Sequence, residues 1–308
     1  MQEPLLLGID GGGTRCRARL CTLSGETIGR GIASPANIRF SLQESFTAIL
    51  DPMEQSLGMA GLTPRDAVRI VACLALAGTT EPGAVAAARQ YQHPFRELMI
   101  TSDVHAARVG AHRGSDGGVV VVGTGTIGFA QRAGRHVRIG GWGFPLSDEG
   151  SGAWFGGEAL RRALWAHDGR MPWTPLLHGL FARFDRDLHA IVRFMTGARP
   201  RDFAAFAPAV VEHAAQSDSV GAELMALAAA HIEALIARLL KFGVSNIALV
   251  GGLSEATKPL LTPATQEILV DPISDALEGA LALARATASS SVVLESASEP
   301  VVIEEPAA

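Results

Sequence analysis

Cysteine is scarce, with three residues in a chain of 308. Their number is odd and none forms a CxxC pair, so we expect reduced thiols and a cytoplasmic location rather than a disulfide framework. No run of about 18 apolar residues is free of charge or glycine, so no membrane helix is predicted. The amino terminus places an acid and a proline before a short apolar run, unlike a secretory signal.

A basic stretch is also missing, and the formal net charge is −5. This charge pattern gives no reason to expect a nucleic-acid partner. Hydrophobic residues make up 48% and charged residues 19% of the chain. That balance is typical of a folded protein, and the length allows two domains with a sizeable core.

One arrangement occurs twice: an apolar strand, a Gly/Thr turn and an alternating strand. It is found in "LLLGIDGGGTRCRARL" (5–20) and again in "GGVVVVGTGTIGFAQR" (117–132). In the first copy three arginines alternate with apolar residues, the period of a half-buried strand. The repetition predicts two related α/β halves, and the mostly helical stretch 147–242 is an insertion in the second.

Other segments carry clear local signals. Ser41 and Glu44 form a capping-box pattern for a helix that Pro52 should bend or shorten. Further predicted elements are strands at 69–78 and 97–103, a helix at 104–112, a long helix at 220–242, a strand and turn at 246–255, and a helix at 274–286.

The two Gly/Thr turns are candidate phosphate sites. Backbone N–H groups can hold a phosphate only if the chain comes close, which favours residues without Cβ. The turn residues are Gly11, Gly12, Gly13 and Thr14 in the first copy, and Gly123, Thr124, Gly125 and Thr126 in the second. The alternative is a pair of tight hairpins in which glycine only permits positive φ.

Two other nucleotide motifs fit these turns less well. A P-loop needs a lysine after its last glycine, and neither turn has one. "GTGTIG" (123–128) fits the dinucleotide pattern G-x-G-x-x-G, with Asp148 near the position of a ribose-binding acid. That pattern requires a helix directly after the glycines, whereas 129–141 has hairpin composition, so the match is interpreted as accidental.

The segments "GIDGGGT", "GTGT", "DEGSG" and "VGGLSE", in this order, resemble the sugar-kinase branch of the actin, hexokinase and Hsp70 superfamily. Within it the chain is similar to the BadF/BadG-type ATPase family, and most to bacterial glucosamine and N-acetylglucosamine kinases. The resemblance covers about residues 4–286 and includes "SPANI", "LALAG" and "SDALEGALALA". It implies an α/β fold of two actin-like (ribonuclease H-like) domains with ATP and sugar in an interdomain cleft.

Domain boundaries follow from the resemblance and the repeat. Residues 1–113 form the amino-terminal domain, which the helix 274–286 braces, and 114–273 form the second domain with its helical insertion. Residues 287–308 shift to Ser, Glu, Ala and Pro and are expected to be a flexible tail. Relatives of this kind are commonly dimers, so a homodimer is expected.

The two aspartates that end strands have the most specific implied roles. Asp103 matches the family's catalytic aspartate, the acceptor of the sugar hydroxyl proton, although it could also cap the following helix. Asp10 would position Mg²⁺, through water, if the adjacent turn binds phosphate. Its alternative role is to cap that turn.

The resemblance also implies a sugar site and an adenosine site. The predicted sugar ligands, besides Asp103, are Asn37, Gly78, Thr79 and Asp148. The residues against which adenine would lie are Gly251, Gly252 and Leu253. Asn37 could instead be a simple turn residue, and Asp148 an acid in a first helical turn that opposes the helix dipole.

The predicted function is that of an ATP- and Mg²⁺-dependent hexosamine kinase that phosphorylates the 6-hydroxyl of glucosamine. N-Acetylglucosamine is the alternative substrate, and "GGWG" with Trp142 resembles kinases of that sugar. A dehydratase activator of the same superfamily is a further alternative, but such activators hold an iron–sulfur cluster on cysteines. A nucleotide-binding regulator without catalysis is a third class.

Overall fold

A computed structural model describes residues 3–289, which form a mixed α/β fold with two sheets, as predicted. The chain divides into two compact units. Unit 1 comprises the described residues of Met1–Val119, Phe129–Val137 and Asp271–Ala308. Unit 2 comprises Val120–Gly128 and Arg138–Val270.

The described strands are β1 (Leu5–Gly11), β2 (Cys16–Thr22), β3 (Thr27–Ala33), β4 (Ile70–Leu76), β5 (Glu97–Ser102), β6 (Gly117–Val122), β7 (Thr126–Arg132), β8 (Arg135–Gly140) and β9 (Ile247–Val250). The five-stranded sheet has the order β3–β2–β1–β4–β5, and the four-stranded sheet the order β8–β7–β6–β9.

The described α-helices are α1 (Leu42–Met59), α2 (Pro82–Gln90), α3 (Asp103–His112), α4 (Gly152–His167), α5 (Pro175–Ala182), α6 (Leu188–Gly197), α7 (Pro200–Ala204), α8 (Ala207–Ala215), α9 (Ser219–Phe242), α10 (Ser254–Thr257), α11 (Pro263–Ile268) and α12 (Ala276–Ser289). Short 3₁₀ helices lie at Pro64–Arg69 and Lys258–Leu260.

The five-stranded sheet determines where the chemistry of unit 1 lies. β1 pairs antiparallel with β2, and this register places Asp10 directly opposite Arg17. β1, β4 and β5 are parallel, with Gly11 beside Leu76 and Leu76 beside Ser102. Because parallel strands end at the same edge, the residues that follow these three strands lie together.

Both faces of this sheet are covered. On one face Leu7 and Ile9 pack with Phe46 and Ile49 of α1. On the other face α12 contributes Ala280, Leu281 and Ala284 to a cluster with Leu6 and Val71. The last described helix therefore completes the core of a sheet that begins at residue 5.

α12 also crosses α3 at very short range. A Cβ added at Gly279 would overlap the Ala106 carbonyl oxygen, and one added at Gly110 would overlap that of Asp275. The glycines therefore set the position of α3, the helix that begins with Asp103.

Gly279→Ala should destabilise the protein by about 1–3 kcal/mol, because the methyl group meets backbone that cannot rotate away. Gly58→Ala is the matched control, since Gly58 lies in α1 and a Cβ there would have nothing within 4 Å. That change should be neutral or stabilising by about 0.5–1 kcal/mol. Urea unfolding measures both, and equal midpoints would contradict the packing argument.

The helices of unit 2 form a separate core around Phe155, Leu160, Leu176 and Leu224. Within residues 3–289 one helix, α9, is long and apolar enough to cross a membrane by length and composition alone. Several of its apolar residues, Leu224 among them, contribute to this core. The helix is thus a weak indication of a membrane span.

Most predicted elements agree with the structure, and a few differ. Ser41 caps α1, since its side chain accepts from the Glu44 N–H. Pro52 does not shorten α1, which continues to Met59. The buried Pro52 lies against β3, whose Gly31 is in backbone contact with it, and this packing compensates for the lost hydrogen bond.

The flexible tail was predicted to begin at residue 287, which is too early. α12 extends to Ser289, and the Thr287 hydroxyl donates to the Leu283 carbonyl one turn back. The remainder of the predicted tail, 290–308, lies outside the described residues. α2 had no sequence prediction, although its start is marked by Glu81, which accepts from the Ala84 N–H, and by Pro82 in the first turn.

Candidate active site

The predicted site residues fall into two groups, one in each unit. The group of unit 1 lies at the carboxyl edge of β1, β4 and β5 and comprises Asp10, Gly11, Gly12, Gly13, Thr14, Asn37, Gly78, Thr79 and Asp103. The group of unit 2 comprises Gly123, Thr124, Gly125, Thr126, Asp148, Gly251, Gly252 and Leu253.

The first Gly/Thr turn is closed by a hydrogen bond from the Gly12 N–H to the Arg15 carbonyl (3.1 Å), with Gly13 and Thr14 at its tip. Gly11 is favoured by packing, because a Cβ there would lie 2.7 Å from Leu76 Cδ2 and 3.1 Å from Ala36 Cβ. At Gly12 a Cβ would meet only the Arg15 carbonyl, at 3.7 Å. The fold leaves room for a side chain at Gly12, as expected where a ligand needs close backbone approach.

Asp10 is held by its cross-strand neighbour. Arg17 donates to Asp10 Oδ2 from Nη2 (2.6 Å) and from Nε (3.1 Å). Burial alone would lower the pKa of Arg17, but its hydrogen bonds and the charges of Asp10 and Asp275 raise it. The guanidinium is therefore a fixed positive group beside the Asp10 carboxylate.

Asn37, Gly78 and Thr79 lie together next to the end of β4. Asn37 forms a parallel bridge with Ala77, and its Oδ1 accepts from the Arg39 N–H (3.1 Å). Gly78 has φ +88°, and a Cβ there would overlap Asn37 Oδ1. The Arg39 hydrogen bond orients the Asn37 amide, and the missing Cβ of Gly78 leaves room for it, so the structure brings Asn37, Gly78 and Thr79 into one place.

Asp103 is the first residue of α3, and the N-cap is Ser102 instead, whose hydroxyl accepts from the His105 N–H (3.2 Å). The capping role considered for Asp103 is therefore corrected. Asp103 Oδ1 accepts from the Val104 N–H (2.8 Å), and the residue is half-buried. The carboxylate is thus oriented by its own backbone at the edge where β4 and β5 end.

Two residues after Asp103 in α3, His105 is buried with Arg108. His105 Nδ1 is 3.0 Å from the Thr101 hydroxyl, and Nε2 faces the Arg108 guanidinium at 3.4 Å. Burial, followed by the charges of Arg108 and His136, lowers the pKa of His105 to about 3. The histidine is therefore neutral and structural.

This histidine should make stability depend on pH. An unfolded histidine has a pKa near 6.5, so between pH 6.5 and about 3 the unfolded chain binds the extra proton. Stability should fall as the pH falls through this window, by up to about 1.4 kcal/mol per pH unit. Urea midpoints at pH 7, 6 and 5 should show a smaller slope for His105→Asn and an unchanged slope for the exposed His189→Asn. Equal slopes in all three proteins would contradict this assignment.

In unit 2, the second Gly/Thr turn connects β6 to β7 and is followed by a strand, not a helix. The rejection of a dinucleotide fingerprint agrees with this connection. The Gly123 and Thr124 carbonyls accept the Gly152 and Ala153 N–H groups at the start of α4 (2.8 and 3.1 Å). The turn is thus anchored through its carbonyls.

The glycines of this turn differ in the same way as those of the first. A Cβ at Gly123 would be 4.0 Å from its nearest neighbour, the Gly125 carbonyl. A Cβ at Gly125 would lie 2.8 Å from Asp148 Oδ2. Gly125 is thus required by packing, whereas Gly123 is not, so ligand approach is the better reason for the glycine at 123.

Asp148 precedes α4, whose N-cap is Ser151, so the first-turn interpretation of this acid is corrected. Asp148 is buried with φ +70°, and its Oδ2 accepts from the Phe144 N–H (3.2 Å). Burial raises its pKa, and hydrogen bonds from the backbone of Gly143, Phe144 and Thr126 oppose that rise. The carboxylate therefore connects the 143–148 loop to the start of β7.

The predicted adenosine turn lies beside the same strand. The Leu253 N–H donates to the Val122 carbonyl (3.0 Å), and Gly251, at φ +106°, has no room for a Cβ against Val122. Gly252 is exposed and has nothing within 4 Å of its Cβ position. Val122 thus joins the two glycine turns of unit 2.

The donor groups of unit 1 fit a magnesium ion that is bound mainly by other ligands. Within residues 3–289 no group of three or more His, Cys, Asp or Glu residues is arranged to hold a metal. Mg²⁺ is usually bound by one or two carboxylates together with waters and substrate phosphates. A single carboxylate, Asp10, beside a glycine turn matches that pattern.

Sequence reasoning missed the role of Arg17. On its own, the alternation of arginines in β2 indicates only the exposed face of a strand. The available signal was the hairpin register, because a short turn after Asp10 places a β2 side chain opposite it.

Comparison with known proteins agrees with these features. Residues 7–284 match the model of the BadF/BadG/BcrA/BcrD ATPase family. The chain is 37% identical to the glucosamine kinase GspK of Vibrio cholerae over 278 residues, which cover 90% of this chain and 95% of that protein.

Solved structures share the fold. A Chromobacterium violaceum protein, assigned provisionally as an N-acetylglucosamine kinase, has a TM-score of 0.86 at 32% identity, over 92% of this chain and 99% of that one. A ROK family glucokinase from Streptomyces griseus has a TM-score of 0.52 at 15% identity, over 91% and 98% of the two chains, which indicates the fold alone. The predicted actin-like fold is confirmed, and the chain belongs to the BadF/BadG/BcrA/BcrD ATPase family.

Proposed function

We propose that the protein is an ATP-dependent hexosamine kinase that transfers the γ-phosphate to the 6-hydroxyl of glucosamine. The observation that carries the proposal is the position of Asp103 at the strand edge that also holds Asn37 and Gly78. The 37% identity to a glucosamine kinase over nearly its whole length supports the substrate class.

Each group has a distinct role in this proposal. Asn37, Gly78, Thr79 and Asp148 bind the sugar, and Asp103 accepts the proton of its 6-hydroxyl as the oxygen attacks the γ-phosphorus. The bond to the leaving ADP oxygen breaks in line with the new bond. The Gly/Thr turns bind the phosphates, while Gly251, Gly252 and Leu253 support the adenine.

Asp10 is assigned to the magnesium nucleotide. Mg²⁺, when bound, neutralises charge on the transferring phosphate. Asp10 would hold the ion by accepting hydrogen bonds from its bound waters. The homodimer remains a prediction from the resemblance, and the cytoplasmic location a prediction from cysteine usage. Light scattering of the purified protein tests the former.

N-Acetylglucosamine is the second candidate substrate, because the 32% identical structure carries a provisional assignment to that activity. Purified protein should be incubated with ATP, Mg²⁺ and glucosamine, N-acetylglucosamine or glucose in separate assays. We expect ADP release to be fastest with glucosamine, and phosphorus NMR to identify a 6-phosphate. If the protein phosphorylated neither glucosamine nor N-acetylglucosamine, the proposal would be overturned.

The dehydratase activator is less consistent with unit 1. The three cysteines of this chain are all buried in β-strands of unit 1. Burial and the charges of nearby acids raise the pKa of Cys16 to about 12, and burial alone raises that of Cys73 to about 12. Both shifts disfavour the thiolate that binds iron. A brown protein with an iron–sulfur absorption band would favour the activator.

A further inference from the structure

A single guanidinium connects Asp10 to the start of α12. Arg17 donates to Asp10 Oδ2 through Nε and Nη2, and its Nη1 donates to Asp275 Oδ2 at 2.8 Å. All three guanidinium nitrogens are therefore used. Arg17 holds one carboxylate from β1 and one from the residue preceding α12.

The pair is well shielded and well anchored. The side chains of Arg17 and Asp10 are 24% and 16% exposed, so salt screens their attraction less than that of a surface pair. Asp275 is itself fixed, because its Oδ1 accepts from the Glu278 N–H (3.1 Å). Because the guanidinium is planar and rigid, its contact with Asp275 also restricts the position of Asp10. The flexible ammonium of lysine would restrict Asp10 less.

We propose that Arg17 is a positioning residue that orients Asp10 toward a hydrated magnesium nucleotide, with Asp275 as its anchor. This inference rests on the proposed function. Positive charge on Arg17 opposes direct coordination of a cation by the oxygen that it binds. It leaves the carboxylate suited to accept hydrogen bonds from metal-bound water. Arg17 thereby favours water-mediated binding over direct contact.

The chain supplies a matched control in the same strand. Arg19 Nη1 donates to Glu278 Oε2 at 2.6 Å, and Arg19 is 25% exposed. This second ion pair joins β2 to the first turn of α12, next to Asp275, but Arg19 lies opposite Gly8 and not opposite Asp10. Arg19→Met therefore removes a comparable ion pair while leaving Asp10 held.

The test compares ADP binding with and without Mg²⁺ by calorimetry in the full chain. We expect Mg²⁺ to strengthen ADP binding by the wild type and by Arg19→Met equally. Arg17→Met should lose about 10-fold or more of that strengthening, the size typical of groups that orient metal ligands. Its ADP affinity without Mg²⁺ should stay close to the wild-type value. A purely structural role would lower thermal stability and leave the Mg²⁺ effect unchanged.

Two milder variants keep the test decisive if Arg17→Met does not fold. Arg17→Lys keeps the positive charge, and Asp275→Asn keeps the oxygen that accepts the Glu278 N–H. In both variants Mg²⁺ should strengthen ADP binding less than in the wild type. The inference would be overturned if Mg²⁺ strengthened ADP binding as much in both milder variants, or in Arg17→Met, as it does in the wild type. A larger Mg²⁺ effect in Arg17→Met, or no Mg²⁺ effect in the wild type, would also overturn it. A wild type that phosphorylates no sugar refutes the proposed function, whereas the ADP titration still decides the role of Arg17.

Discussion

Asp103→Asn should reduce sugar phosphorylation by roughly 1,000-fold, within the 10²–10⁴ range of general-base catalysis. The amide cannot accept the hydroxyl proton, yet its oxygen can still accept the Val104 N–H as Asp103 Oδ1 does. Folding and ATP binding should therefore be retained. Steady-state kinetics with saturating ATP measure the loss in kcat.

Ser102→Ala is the control for this variant. It removes the hydroxyl that caps α3 and should cost about 0.5–2 kcal/mol of stability while leaving the chemistry intact. If Asp103→Asn kept more than a tenth of the activity, or lost only stability as Ser102→Ala does, Asp103 would not be the base.

Gly12→Ala should weaken ATP binding by roughly 10- to 100-fold, the equivalent of about 1–3 kcal/mol of steric conflict with a phosphate. The chain itself tolerates the methyl group, since only the Arg15 carbonyl lies nearby, at 3.7 Å. Gly123→Ala should behave in the same way. Calorimetric titration of ATP with Mg²⁺ measures both, and unfolding experiments should show unchanged stability.

These substitutions separate the phosphate site from the simple hairpin interpretation. If the glycines only shape two hairpins, both alanine variants should bind ATP as the wild type does. Gly58→Ala controls for the effect of an added methyl group elsewhere, in the open environment of α1. Normal ATP affinity in both turn variants would remove the main support for phosphate binding there.

Local patterns predicted much of the fold because their causes are local. The alternation in β2, the Ser41 cap and the two glycine turns depend on neighbours within a few residues. The continuation of α1 through Pro52 was not predictable in this way, because tertiary packing against β3 decides it.

The site shows the same division between local and distant causes. The sequence identified Asp10 and Asp103 as strand-end acids, but it could not show that Asp275 anchors Arg17, because these two residues are 258 positions apart. Nor could it show that Gly11 and Gly125 fill packing needs while Gly12 and Gly123 have open space. That distinction depends on side chains from other segments.

The position of α12 has a consequence for synthesis of the chain. A ribosome would release β1 well before Ala280 and Leu281, the α12 residues that cover that strand. Unit 1 therefore cannot complete its core until α12 has been synthesised. Until then Leu6 and Val71 would remain uncovered on the α12 face, which gives chaperones a reason to bind the nascent protein.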